Sequence, residues 1–202
     1  MTNNHQLVAG VDEVGRGALF GPVVAAVVVT SPSILVELAA LGVKDSKQLS
    51  AKRRSELVIK IQKLALDYQI GSATAQEIDS INILQASLLA MKRAVEQLKI
   101  TPELCLIDGR YKIPGLELPQ KTIIKGDRHS IAIAAASILA KVWRDRLIID
   151  LAQQYPEYSL ENHKGYPTKQ HRLALQKYGL SVEHRQSFRP CQIAKIKDKN
   201  KH

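Results

Sequence analysis

Cysteine is almost missing from this chain. The two that occur, Cys105 and Cys191, lie far apart and form no C-x-x-C pair. That argues against a zinc site and, more strongly, against a disulfide framework. Long apolar runs are missing too: the stretch over 18–29 stops short of the roughly 20 residues that cross a bilayer. The opening MTNNHQLVAG has no basic segment followed by an apolar one, so no secretory signal is expected and the chain is expected in the cytoplasm. Internal repeats and Pro/Gly/Ser-rich linkers are absent, which points to one domain. Acidic residues are scarce beside basic ones: 29 Lys+Arg less 19 Asp+Glu leaves +10. An excess of that size suits a polyanionic partner, most often nucleic acid, although composition alone fits a generally basic protein equally well.

What is present is a regular alternation of short β-like and helical segments. Residues 6–12 and 21–30, rich in Val and Ala around a Gly-rich turn, read as a hairpin. The segment 49–68 has helical periodicity, with Leu57, Ile61 and Leu64 on one face and Ser50 as its N-cap. A third strand is expected at 69–76, a second amphipathic helix at 80–100 capped by Ser80, and short strands at 103–109 and 121–127. The Ala-rich segment 130–155 reads as a long helix packed on a sheet. Residues 163–188 mix a loop with one more short helix. The basic tail, 190–202, has almost nothing to bury and is expected to be disordered. The fold class is therefore α/β, with one domain over 1–189 that ends in a helical portion.

Four acids share one setting. Asp12 and Glu13, adjacent in VAGVDEVGRG, and Asp108 and Asp127, in LIDG and KGD, each fall at or just past the end of an expected strand. In α/β proteins such ends gather at one edge of the sheet, where ligands bind. Converging carboxylates repel and raise one another's pKa values. A divalent cation relieves this, and an all-oxygen donor set suits Mg²⁺ or Mn²⁺. Two such ions form a clamp that cleaves phosphodiesters. Any one of these acids, taken alone, could equally cap a turn or a helix; Asp127 could cap the helix that follows it.

Further residues carry weaker signals. Gly15, Arg16 and Gly17 let a backbone approach a ligand closely, although a tight turn with an exposed arginine would read the same way. Lys47, in KDSKQLS just ahead of a helix, suits phosphate contact, and a plain helix start would look alike. HKGYPT places Lys164 beside Tyr166, a pair that could meet a phosphate and stack on a base or sugar. His171 and His184 have no partner at metal spacing and receive no ligand role.

Taken in order and spacing, GVDEVGRG, DSKQLS, LIDG, KGD…AAASILAKVWRDR and HKGYPT…H…G…HRQSF resemble bacterial ribonuclease HII, the type 2 ribonuclease H, over residues 7–189. Several long motifs agreeing together are far more specific than any one of them. The resemblance implies an RNase H-like fold: a mixed five-stranded sheet flanked by helices, with a helical C-terminal region. It implies Asp12, Glu13, Asp108 and Asp127 as catalytic, metal-binding acids for two Mg²⁺ or Mn²⁺ ions. It makes Gly15, Arg16 and Gly17 the sensor of a ribose 2′-hydroxyl, Tyr166 a stack on the next sugar, and Lys47 a neighbour of the scissile phosphate. The substrates implied are RNA–DNA hybrids and ribonucleotides within duplex DNA; a monomer is expected. Ala18 and Phe20 depart from the family's commoner residues, proline and a smaller side chain. A non-catalytic nucleic-acid-binding protein, and a resolvase or integrase cutting all-DNA substrates, are the competing classes.

Overall fold

The computed structural model describes residues 7–199. These fall into two compact units: 7–14, 24–72 and 88–142 form the first, and 15–23, 73–87 and 143–199 the second.

The first unit is built on a mixed sheet. Its strands are β1 (Val8–Val14), β2 (Val23–Thr30), β3 (Asp67–Ala73), β4 (Leu104–Asp108) and β5 (Gln120–Ile123), in the order β3-β2-β1-β4-β5. β1 pairs antiparallel with β2 and parallel with β4, and β4 pairs parallel with β5. All eight residues of β2 are buried, as a near-continuous Val/Ala run in a sheet interior requires.

Helices α1 (Pro32–Ala40), α2 (Ala51–Leu64), α3 (Ala75–Glu96), α4 (Gly126–His129) and α5 (Ile131–Ala152) follow in the chain. Ile34 and Leu38 of α1 join Leu57, Val58 and Ile61 of α2 in one apolar cluster with the Ala-rich face of α5. Ser50 caps α2, its hydroxyl accepting the Arg53 N–H at 3.2 Å, as the sequence suggests. α1 lies outside the elements read from the sequence, although Ser31 followed by Pro32 is a proper start signal.

α5 reaches the sheet because of what its neighbours lack. A Cβ on Gly10 of β1 would sit 2.1 Å from the Ala132 carbonyl carbon. Backbone stands there, and backbone cannot swing aside. Gly10→Ala is therefore expected to destabilise the fold by on the order of 3 kcal/mol, read as a lowered midpoint in denaturant unfolding; an unchanged midpoint would show that α5 has room to retreat.

The second unit adds α6 (Leu160–His163), α7 (Lys169–Tyr178) and α8 (Arg189–Lys199). Leu19, Phe20, Ile148, Tyr158, Leu160, Leu175, Cys191 and Ala194 form its core.

Three expectations are corrected. The tail is helical through Lys199, because Cys191 and Ala194, three residues apart, share one helix face and are buried; only 200–202 lie outside the described residues. The helix expected at 80–100 begins at Ala75, with Thr74 and Glu77 in a reciprocal cap. It is interrupted at Asn82 (φ 68°), whose side-chain oxygen accepts the Leu84 and Gln85 N–H groups. Asn82, not Ser80, is thus the cap: asparagine tolerates that φ and reaches its own backbone. Finally, β5 stops at Ile123 and Asp127 lies within α4, because the chain turns through a left-handed Lys125 (φ 55°). Nor does Asp127 cap the helix beyond, α5, where the Ser130 hydroxyl accepts the Ile133 N–H.

Candidate active site

The parallel register of β1 against β4 does the assembling. Val11 lies opposite Ile107, the last pair of that register, so Asp12 and Asp108 follow together where the parallel pairing stops. β4 ends there, whereas β1 runs on to Val14 beside β2, and Asp12 and Glu13 lie within the strand rather than at its end. Side-chain oxygens of Asp12, Glu13 and Asp108 lie within 4.8 Å of one another, an arrangement that could hold a metal ion. Asp127 lies beside this trio and is not one of the three whose oxygens share the 4.8 Å spacing. Its backbone N–H, with that of Gly126 at 2.6 Å, donates to the Asp108 carboxylate. Its own carboxylate accepts from Lys47 Nζ at 3.3 Å.

The electrostatics follow from this crowding. Asp12 is buried, and burial, then Glu13, then Asp108 push its pKa well above the carboxylate range, against hydrogen bonds from Ser137 and the Glu13 N–H. Burial likewise raises Asp108, aided by Asp127 and opposed by the Gly126 N–H. Three oxygen donors that cannot all ionise without a counter-charge are a donor set for a hard divalent cation. Partial burial opposes the charge of Lys47, but Asp127, Asp12 and Asp45 outweigh it and raise its pKa. With 79% of that side chain exposed, the pair with Asp127 adds little stability.

Asp45 is buried and accepts from the Lys47 N–H, Gln48 Nε2 and Arg128 Nε at 2.9, 3.3 and 3.2 Å. These bonds overcome the cost of burial and hold its pKa below the usual value. They also fix the turn that carries Lys47, a short 3₁₀ helix at Ser46–Gln48.

In the second unit, Gly15 is buried while Arg16 and Gly17 are exposed. A methyl on Gly15 (φ +93°) would meet the Arg144 side chain, whereas one on Gly17 would meet nothing within 4 Å. Tyr166 is half-buried, with the Arg144 guanidinium carbon 5.5 Å from its ring centroid. The Lys164 ammonium is bound to the Glu161 carbonyl.

Comparison with known proteins then decides the family. The ribonuclease HII family profile matches residues 9–191. The chain is 58% identical over 193 residues to the ribonuclease HII of Trichormus variabilis, covering 96% of this chain and 86% of that one. The chain belongs to the ribonuclease HII family. It is accordingly a nuclease of the ribonuclease H class. Its fold is similar to the crystal structure of the ribonuclease H2 from Pyrococcus horikoshii (TM-score 0.80, 30% identity, 97% and 99% of the two chains). Bst-RNase HIII, solved in complex with Mn²⁺, shares the fold at 19% identity (TM-score 0.74, 98% of this chain and 72% of that one). The mixed five-stranded sheet with a helical C-terminal region is thus the family's architecture. No helix among the described residues is long and apolar enough to cross a membrane.

Several residues of interest escape a reading of the sequence. Ser137 bonds both Asp12 and, at 2.9 Å, Ser46; a lone hydroxyl in an alanine run is its only signal. Arg144 and Arg185 are fully buried, whereas arginine in a sequence reads as surface. His171 and His184 form a buried pair, their Nε2 atoms 3.1 Å apart. His171 Nδ1–H donates to the Tyr166 carbonyl and leaves Nε2 to accept from His184, whose Nδ1 accepts from Ser181. Burial, aided by His163 for His171 and by His171 for His184, lowers their pKa values to about 4 and about 3.

Both rings are thus neutral when folded and take up protons near 6.5 when unfolded. Stability is therefore fully present above about pH 6.5 and is lost as pH falls towards 4, by about 1.4 kcal/mol per pH unit for each imidazole. Denaturant unfolding compared between pH 7 and 5 should show His184→Gln losing less stability than wild type as pH falls, by one proton's worth of slope. An identical pH dependence in variant and wild type would contradict the assignment.

Proposed function

We propose that this chain is an endoribonuclease that hydrolyses the phosphodiester on the 5′ side of a ribonucleotide, in RNA–DNA hybrids and at ribonucleotides embedded in duplex DNA. The products are a 3′-hydroxyl and a 5′-phosphate, and the enzyme works as a cytoplasmic monomer. The observation that carries this reading is the convergence of Asp12, Glu13 and Asp108 within 4.8 Å where the parallel pairing of β1 and β4 stops, with Asp127 beside them. Asp12, Glu13, Asp108 and Asp127 would hold two Mg²⁺ or Mn²⁺ ions, which supply an activated water and stabilise the leaving oxygen.

The chain's own groups do the rest. Ser137 holds the Asp12 carboxylate in orientation, and the Gly126 and Asp127 N–H groups do so for Asp108. Lys47, anchored through the Asp45 turn but exposed at its ammonium, meets the phosphate. The Gly15–Gly17 loop reads the 2′-hydroxyl, the group that separates RNA from DNA. Tyr166 packs its ring on the sugar 3′ of the ribonucleotide, and Lys164 lies near a phosphate of the same strand. The excess of +10 draws the duplex in by displacing counterions.

A duplex with a single ribonucleotide, labelled at either end and incubated with Mg²⁺, tests this. The expected result is one cut on the 5′ side of that ribonucleotide. Tyr166→Ala should lose more activity there than on a full hybrid, because only the single site presents a deoxyribose to the ring. A cut on the 3′ side, or Tyr166→Ala as active as wild type on both substrates, would overturn the respective part.

A further inference from the structure

Two arginines in the second unit are buried completely, and both spend their donors on backbone carbonyls. Arg144 donates from Nε, Nη1 and Nη2 to Pro22, Lys164 and Phe20 at 3.1, 3.0 and 3.0 Å. Arg185 donates from Nε to Gly21 at 2.9 Å, and from Nη1 to Gly15 at 2.7 Å and Arg16 at 3.0 Å. Five of these six carbonyls belong to the loop between β1 and β2. Arg185 Nη2 is buried with no hydrogen-bond partner. A buried, incompletely satisfied cation is a costly way to fill space, and an apolar side chain of similar volume would often serve packing as well or better. What an apolar side chain cannot do is pull carbonyl oxygens inward.

That pull has a geometric consequence. In a planar trans peptide the C=O of one residue and the N–H of the next point in opposite directions. With the Gly15 and Arg16 carbonyls both turned towards Arg185, the N–H groups of Arg16 and Gly17 turn away from it. Arg16 and Gly17 are the exposed residues of this loop. Two successive N–H groups aimed the same way make a small concavity of positive potential, suited to an oxygen acceptor. Arg144 fixes the other side of the loop, lying against Gly15 and within 5.5 Å of the Tyr166 ring centroid.

We propose that Arg185 is a positioning residue for ribose recognition: by drawing the Gly15 and Arg16 carbonyls inward it aims the Arg16 and Gly17 N–H groups at the 2′-oxygen of the substrate. The proposal rests on the reading that residues 15–17 meet the ribose. Arg185 itself touches no substrate. Burial and the nearby Arg144 lower its pKa to about 9, which leaves it charged at neutral pH.

The test measures binding to two duplexes identical except for one ribonucleotide, with Ca²⁺ replacing the catalytic ion to prevent cleavage. Wild type should prefer the ribose-containing duplex. Arg185→Lys keeps the charge but loses the fork, so it should lose at least about ten-fold of that preference while binding the all-deoxy duplex as wild type does. A variant whose affinity for both duplexes falls equally, or whose preference is intact, overturns the proposal and leaves the reading of the loop standing. No preference in wild type sinks that reading, and the proposal with it. Should Arg185→Lys fail to fold, amide NMR of wild type decides: the Arg16 and Gly17 N–H signals should shift with the ribose-containing duplex and not with the all-deoxy one. Equal shifts with both would overturn the proposal.

Discussion

Asp108→Asn is expected to stop cleavage and leave the fold intact. Asp108 ends β4 and accepts the Gly126 N–H at 2.6 Å, a bond that an amide oxygen can also accept. What asparagine lacks is the charge a hard cation needs. Metal assistance is worth several kcal/mol of barrier, and each 1.36 kcal/mol is ten-fold in rate, so kcat should fall by about 10³-fold or more. Thermal stability without metal should hold or rise. Burial and then the neighbouring Asp127 raise the pKa of Asp108, so its ionised form costs the fold stability at neutral pH. Steady-state cleavage in Mg²⁺ and a melting curve in chelator read both effects. Near wild-type turnover, or a clear loss of metal-free stability, would show that Asp108 serves the fold and not the chemistry.

A pair of substitutions separates a glycine needed by the loop from one needed by the substrate. Gly15 has φ +93°, and a Cβ there would lie 2.2 Å from Arg144 Nε. That side chain is pinned by three carbonyls, so the loop must move instead. Gly15→Ala should therefore lower both stability and activity, on every substrate alike. Gly17 has open space around the equivalent position. Gly17→Ala should melt within about 0.5 kcal/mol of wild type, yet lose on the order of 10²-fold in kcat/KM, because the added methyl keeps the ribose from closing on the loop. A fully active Gly17→Ala would mean that no ligand approaches this backbone closely.

These cases show what a sequence can disclose. The sheet and the acids at its edge are legible because strand and turn signals are local, and because an adjacent acid pair within a Val-rich strand has few structural uses. The register that brings Asp12 beside Asp108 is not local: it depends on β1 pairing in parallel with a strand almost a hundred residues away. Gly15 reads like Gly17 in the sequence, and only packing against Arg144 tells them apart. The two buried arginines and the histidine pair are invisible for the same reason. Their residue types belong on surfaces, and only loop carbonyls and neutral tautomers make the interior acceptable to them. The tail misleads through its lysines, which mask Cys191 and Ala194 at helical spacing.

Everything turns on whether the acid cluster works through a divalent ion and whether the ribose selects the bond. Titrating Mg²⁺ and Mn²⁺ into wild-type enzyme, on a duplex with one ribonucleotide and on its all-deoxy twin, measures both at once. The expected result is no cleavage in chelator, a single cut at the ribonucleotide that rises with metal, and an intact all-deoxy duplex throughout. Cleavage by the pure enzyme in chelator, or equal cutting of the all-deoxy duplex, would contradict the account.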